Sequence, residues 1–138
     1  MNSLSAPPPE NPHNKLDYTI DRDGRFYAGT HHIIDMWGPR RISDAEYIEM
    51  VLKESTKAAK ATLLHVHTHR FSVNGGVSGV AVLAESHISV HTWPELNFAA
   101  FDIFTCGNTD PRAAVENMTL AFAPERIEVR EILRGRKS

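Results

Sequence analysis

The sequence predicts an α+β fold: a two-layer sandwich in which two helices cover one face of an antiparallel sheet, whose other face is solvated or meets a partner. Three observations carry this. Apolar residues recur at helical spacing in two stretches only. Most of the remaining chain consists of short segments rich in β-branched and aromatic residues, several of them alternating. Glycine- and proline-containing turns link these segments closely enough to form hairpins.

A chain of 138 residues suits a single domain. Its 41% hydrophobic and 23% charged residues are an ordinary globular composition. A formal charge of −2 and a pI near 6.4 argue against the clustered basic face of a nucleic-acid binder. No apolar run approaches the length of a membrane span. The first fifteen residues lack the apolar core of a signal peptide, so the expected location is cytoplasmic.

Residues 1–24 read as a tail, with Pro7, Pro8, Pro9 and Pro12 among polar neighbours and no period. The single domain is expected over 25–138. Gly29 to Trp37 reads as the first strand. Ser43-Asp-Ala-Glu46 has the pattern of a capping box opening a helix. Ile48, Val51, Leu52, Ser55 and Ala59 form its buried face, with Lys53, Lys57 and Lys60 outside. Thr62 to Phe71 alternates as a strand, Asn74-Gly75-Gly76 turns, and Val77 to Glu85 returns as the hairpin partner. Ile88 to Trp93 is the next strand and breaks at Pro94. Phe98 to Cys106 follows, with Phe98, Ala100, Asp102, Phe104 and Cys106 on one side. Asp110-Pro111 starts the second helix, which buries Ala114, Met118, Ala121 and Phe122 and stops at Pro124. Ile127 to Ile132 is the last strand.

Two features stand out chemically. Five of the eight histidines lie between His65 and His91. His65, His67 and His69 share a strand face and form a possible metal set, completed by Glu85 or Glu95; a polar interface is the alternative. The second feature is the run Glu85-Ser-His-Ile-Ser-Val-His-Thr-Trp-Pro-Glu95, which ordinary strand packing does not explain. No Gly-x-Ser-x-Gly elbow surrounds Ser86 or Ser89, which argues against a hydrolase triad. No glycine-rich phosphate loop is present. Cys106 alone cannot form an internal disulfide and is either a small buried residue or a working thiol.

That run, followed by Asp102 and Thr105-Cys106-Gly107, resembles the bacterial and archaeal S-adenosylmethionine decarboxylase family. Gly76-Val77-Ser78-Gly79 and Thr30-His-His-Ile-Ile-Asp35 match as well, and the similarity spans about residues 29 to 134. The resemblance implies a proenzyme that cuts itself between Glu85 and Ser86 into chains 1–85 and 86–138. Ser86 becomes a pyruvoyl group that forms a Schiff base with the substrate. His91 is then the proton acceptor for processing, Ser78 a helper hydroxyl, and Cys106 the proton donor in catalysis. An imidazole titrating near neutrality and a neutral thiol both suit these roles. No pyridoxal phosphate and no metal are expected, since the electron sink is built from the chain itself. Phe71, Trp93 and Glu95 are the implied substrate-binding residues, and the protomers are expected to pair as dimers.

One departure concerns the loop Phe71-Ser-Val-Asn-Gly-Gly76, which is a residue longer than is typical of the family and lacks its proline. It lies where the family holds adenine. Arginine or ornithine therefore stays an alternative substrate, with Asp35 or Glu95 to meet its far end. A histidine-rich metal hydrolase and a non-catalytic partner-binding relative are the competing classes.

Overall fold

The computed structural model describes residues 20–137. Its strands are β1 (Ile20–Arg22), β2 (Arg25–Tyr27), β3 (Gly29–Trp37), β4 (Leu63–Arg70), β5 (Val77–Leu83), β6 (Ser86–Trp93), β7 (Phe98–Thr105) and β8 (Arg126–Arg134). Helix α1 (Ala45–Ala58) lies between β3 and β4, and α2 (Pro111–Phe122) between β7 and β8. Six strands form one sheet in the order β4-β5-β6-β7-β3-β8, with every pair antiparallel. The expected two-layer α+β sandwich is what forms.

Alternation along each strand sorts side chains between the two layers. Ile34 and Met36 of β3, Ile88 and Val90 of β6, and Ala99, Phe101 and Ile103 of β7 are buried beneath the helices. Both helices meet that face with amphipathic stripes. Helix α1 buries Ile48, Val51, Leu52, Ser55 and Thr56, while α2 buries Ala114, Met118 and Phe122. Two polar ties join the helices: Tyr47 Oη donates to the Ala121 carbonyl at 2.6 Å, and Asn117 Nδ2 donates to Ser55 Oγ at 3.0 Å. Among the described residues, no helix is long and apolar enough to cross a membrane.

Two expectations need correction. The cap of α1 is Asp44, not Ser43: its carboxylate accepts from the Tyr47 backbone N–H at 3.0 Å. A carboxylate at this position also meets the positive end of the helix dipole. The Ser43 carbonyl instead accepts from Arg70 Nε at 2.8 Å. The expected tail reached residue 24, but Ile20–Arg22 pairs with Arg25–Tyr27 as a hairpin. Its turn uses Asp23 and Gly24, both at positive φ, and Arg22 reaches Glu131 of β8 at 3.4 Å. The Asp23-Gly24 pair is itself a hairpin signal, but flanking strands of three residues without a hydrophobic period give it no support. The remainder of the expected tail, residues 1–19, lies outside the described residues.

The opposite sheet face carries no helix, and the strand registers align its side chains in lateral rows. One row runs His65, Val82, His87, Phe104, His31, Ile132; the next runs His67, Val80, Ser89, Asp102, Ile33, Arg130. A third runs His69, Ser78, His91, Ala100, Asp35, Glu128.

Met118 is fully buried at the centre of the helix–sheet contact. Met118→Ala should lower unfolding free energy by about 2–5 kcal/mol in urea titrations, the scale of a large-to-small core change. Leu120→Ala, two residues along on the opposite helix face and 83% exposed, should stay within about 0.5 kcal/mol of the parent.

Candidate active site

The β5–β6 hairpin closes through only two residues, Ala84 and Glu85, between the paired Leu83 and Ser86. Glu85 is held at φ 60, in the left-handed region. Glycine or asparagine normally fills such a position, and a side chain like glutamate costs roughly 1–2 kcal/mol there. The Ala84 N–H donates to the Thr62 carbonyl at 2.9 Å, which pins the turn from the neighbouring loop.

Strand β7 ends beside this turn. The Cys106 thiol donates to the Glu85 carbonyl oxygen at 3.2 Å and lies 3.7 Å from a Glu85 carboxylate oxygen. Burial pushes the thiol above its ordinary value of 9.0, the Glu85 carboxylate adds to the rise, and the nearby Ser86 hydroxyl works against it. Cys106 is therefore a neutral proton donor near pH 7. Ser86 is buried, and its hydroxyl has no hydrogen-bond partner among the described residues. Glu85, Ser86 and Cys106 thus meet at one end of β6.

His91 and Ser78 meet at the other end. Ser78 Oγ and His91 Nδ1 are 3.2 Å apart across the β5–β6 ladder. Five residues of extended chain separate Ser86 from His91, or about 17 Å at the usual strand rise. Trp93 follows on the same face, its ring centroid 6.3 Å from His91 and 5.7 Å from Phe98. Asn74 Nδ2, from the loop between β4 and β5, donates to Glu95 Oε2 at 3.2 Å. Phe71 packs on His69 at 4.7 Å between ring centroids. The family-derived site residues therefore fall into two groups within one chain: Glu85, Ser86 and Cys106 together, and Phe71, Ser78, His91, Trp93 and Glu95 near the far end.

Between the two groups lies a cluster that sequence reasoning did not single out. Asp102 Oδ2 accepts from His31 Nε2 at 2.6 Å and from His87 Nε2 at 3.0 Å, while Ser89 Oγ donates to Oδ1. Arg134 Nη1 lies 3.0 Å from His31 Nδ1. A guanidinium has no acceptor, so His31 Nδ1 accepts and the ring proton sits on Nε2, facing Asp102. Burial opposes ionisation of Asp102, but the hydrogen bonds from Ser89, His31 and His87 outweigh it and hold the carboxyl below its ordinary value of 3.8. Among the described residues this is the one group of three whose geometry suits a metal ion. The Arg134 donor works against it, because metal on Nε2 would leave a proton on Nδ1 facing another donor. The expected His65/His67/His69 set does not gather: among the described residues, the ligand atoms that come close enough for one ion are those of His31, His87 and Asp102. The signal that could have found the real cluster was cross-strand alternation in Thr30–Asp35 and Phe98–Cys106.

Asp102 has a depressed folded pKa, so its stabilising contribution is complete above the ordinary carboxylate value and is lost as pH falls through the folded one. Asp102→Asn should flatten this part of the acid limb of a stability-versus-pH curve, measured by urea titration at several pH values. A parent limb unchanged by the substitution would remove the cluster from that account.

Residues 30–135 match the profile of S-adenosylmethionine decarboxylase. The chain is 42% identical over 108 residues to the S-adenosylmethionine decarboxylase proenzyme of Thermomicrobium roseum, covering 78% of this chain and 93% of that one. It is 47% identical over 110 residues to the proenzyme of the same name from Methanococcus maripaludis, covering 78% and 89%. Its fold matches the crystal structure of the adenosylmethionine decarboxylase from Aquifex aeolicus with a TM-score of 0.67 and 34% identity, covering 78% of this chain and 90% of that one. Neither relative is much longer than the matched region, so the similarity takes in the sheet, both helices and every residue of the site just described. The chain belongs to the S-adenosylmethionine decarboxylase family.

Proposed function

We propose that the chain is a proenzyme that cuts its own Glu85–Ser86 bond and, as chains 1–85 and 86–138, decarboxylates S-adenosylmethionine to an aminopropyl donor for spermidine synthesis. The observation that carries the first half is the Cys106 thiol on the Glu85 carbonyl, beside a free Ser86 hydroxyl and in a strained turn. A thiol proton on that oxygen polarises the carbon that the hydroxyl attacks. An unengaged hydroxyl one residue away is the required nucleophile, and the left-handed Glu85 raises the energy of the amide relative to a relaxed product. These residues fit the conversion of Ser86 into a pyruvoyl group, which supplies a ketone electrophile and an electron sink without pyridoxal phosphate or metal.

The distance between Ser86 and His91 bears on the assembly. In this reading a second copy completes the site. The uncovered sheet face carries Ile132 and Val82 at 44% and 40% exposure, together with Trp93, Phe98 and Phe104. When two such faces meet about a two-fold axis lying across the strands, the Ser86 end of one copy faces the His91 end of the other. His91 of the partner chain, held by Ser78, then acts as the processing base. Phe71, Trp93 and Glu95 arrive from the same side to receive adenine, sulfonium and ribose hydroxyls, where an aromatic face near a cation contributes about 0.5–2 kcal/mol. Cys106 returns a proton to the substrate carbon after carbon dioxide leaves.

Intact-mass analysis should show two chains from the parent and one from Ser86→Ala. His91→Ala should also remain uncut. Co-expression of the two variants should restore cutting, and only of the His91→Ala chain, because mixed dimers then contain one complete site. Absence of cutting in the co-expressed pair, with mixed dimers present, would overturn the shared site. Mature protein should release carbon dioxide from S-adenosylmethionine and not from arginine or ornithine. Cys106→Ala should lose about 10²–10⁴-fold in turnover, the range for a positioned general acid. Release from arginine or ornithine alone would replace the substrate while leaving the self-cleavage intact.

A further inference from the structure

Three buried hydroxyls lie in one lateral row on the helix side of the sheet. Thr30 of β3 pairs with Thr105 of β7, and extending the β6–β7 register by one residue sets Ser86 beside Thr105. Thr30 is 3% exposed, Thr105 0% and Ser86 8%, and none of the three hydroxyls has a partner among the described residues. Buried hydroxyls are normally satisfied by protein or by ordered water, so such a row calls for an explanation. Thr30 and Thr105 form the floor of a cleft of about 160 Å³ whose walls include Gly107, Thr109, Arg112 and Glu131. A water in liquid takes up about 30 Å³, so the cleft has room for several. Its rim pairs Arg22 and Arg112 with Glu131, and its α2 end is already capped by Asp110, which favours water over an anion.

Self-cleavage as proposed above has a requirement of its own. Attack by Ser86 Oγ and elimination of the Glu85 carboxylate leave an aminoacrylyl group at residue 86. That group tautomerises to an imine. Water then adds across the C=N bond, and the carbinolamine expels ammonia to leave the ketone. One water enters, one ammonia leaves, and nothing is oxidised or reduced. We propose that the cleft floored by Thr30 and Thr105 delivers this water to residue 86 and releases the ammonia, from the helix side of the sheet, away from the open face that meets the substrate. Each threonine hydroxyl both donates and accepts, so the pair holds a water in line with the row that ends at residue 86. The inference rests on the self-cleavage reading, and on the register that puts Thr105 next to Ser86.

The test is a time course of the doubly substituted Thr30→Val/Thr105→Val protein, which keeps shape and removes both hydroxyls. Samples are quenched in borohydride, which turns an imine end into N-terminal alanine and a ketone end into a lactyl group, and the small chain is weighed. Scission should proceed within twofold of the parent. Conversion from the imine to the ketone end should slow about tenfold, the scale of one to two net hydrogen bonds. Thr30→Ser/Thr105→Ser should restore it. Immediate appearance of the ketone end in the valine protein would overturn the proposal. So would an equal slowing of scission itself, because the hydroxyls would then act on the attack. If the valine protein fails to fold, Arg112→Trp carries the test at the mouth, where the arginine side chain is 75% exposed. Parent-rate conversion in that variant also overturns the proposal. Failure of the parent chain to cut at all would instead sink the self-cleavage reading.

Discussion

A slip of one residue between β6 and β7 would turn Ile88, Val90 and Thr92 out of the core and push His87, Ser89 and His91 under the helices. The side-chain period of a strand is two, so register is all or nothing. The core holds it on one side, through Ile88 and Val90 packed among Ile34, Phe101 and Ile103. Thr92 holds it with polar bonds: its hydroxyl accepts from the Val77 N–H and donates to the Ile42 carbonyl, both at 2.8 Å. Asp102 holds it from the open face, reaching His87 and Ser89 on β6 and His31 on β3. Every site residue on these strands inherits its position from this alignment.

The site is consequently organised along the strands as well as across them. At one end a thiol, a buried hydroxyl and a strained carbonyl meet; at the other a hydroxyl and an imidazole meet beside aromatic rings. An ionised carboxylate with three polar partners separates them. Charge gathered at the middle of this face fixes how any second surface aligns with it, because a displaced partner would bury that charge without compensation. The same cluster secures His87, the residue after Ser86, by its side chain rather than by the chain preceding it.

Much of this was legible in the residues. Gly29–Trp37 matched its strand end to end, and the inward faces of both helices were read correctly, because periodicity reports burial directly. The Glu85–Glu95 run marked the site through an unusual density of functional side chains. What escaped notice depends on pairing between distant segments. His31 and Asp102 are 71 positions apart and meet only through the β3–β7 ladder. Thr30 and Thr105 look like ordinary strand threonines until their register places them together. The histidines at 65, 67 and 69 misled for the opposite reason: they share a strand face in sequence, but the ligand atoms that gather come from three different strands, at His31, His87 and Asp102. Ser43 misled at the helix start, where two residues able to cap stand side by side and the carboxylate has the electrostatic advantage.

The order of strands has a consequence for the protein if it is cut between Glu85 and Ser86 as proposed. β4, β5 and β3 belong to the longer chain, while β6, β7 and β8 belong to the shorter one. Across the sheet the ownership runs long, long, short, short, long, short. The short chain is woven between two parts of the long one and cannot leave without breaking ladders on both sides of β3 and at β5. Losing one peptide bond therefore leaves the native state intact, yet it changes the denatured state from one molecule into two. Unfolding then releases two particles and becomes concentration-dependent. Reassembly has lost the hairpin that made β5 and β6 neighbours. The cut protein holds together by topology, and the order of its own synthesis, joined first and divided later, is the route by which that weave is made.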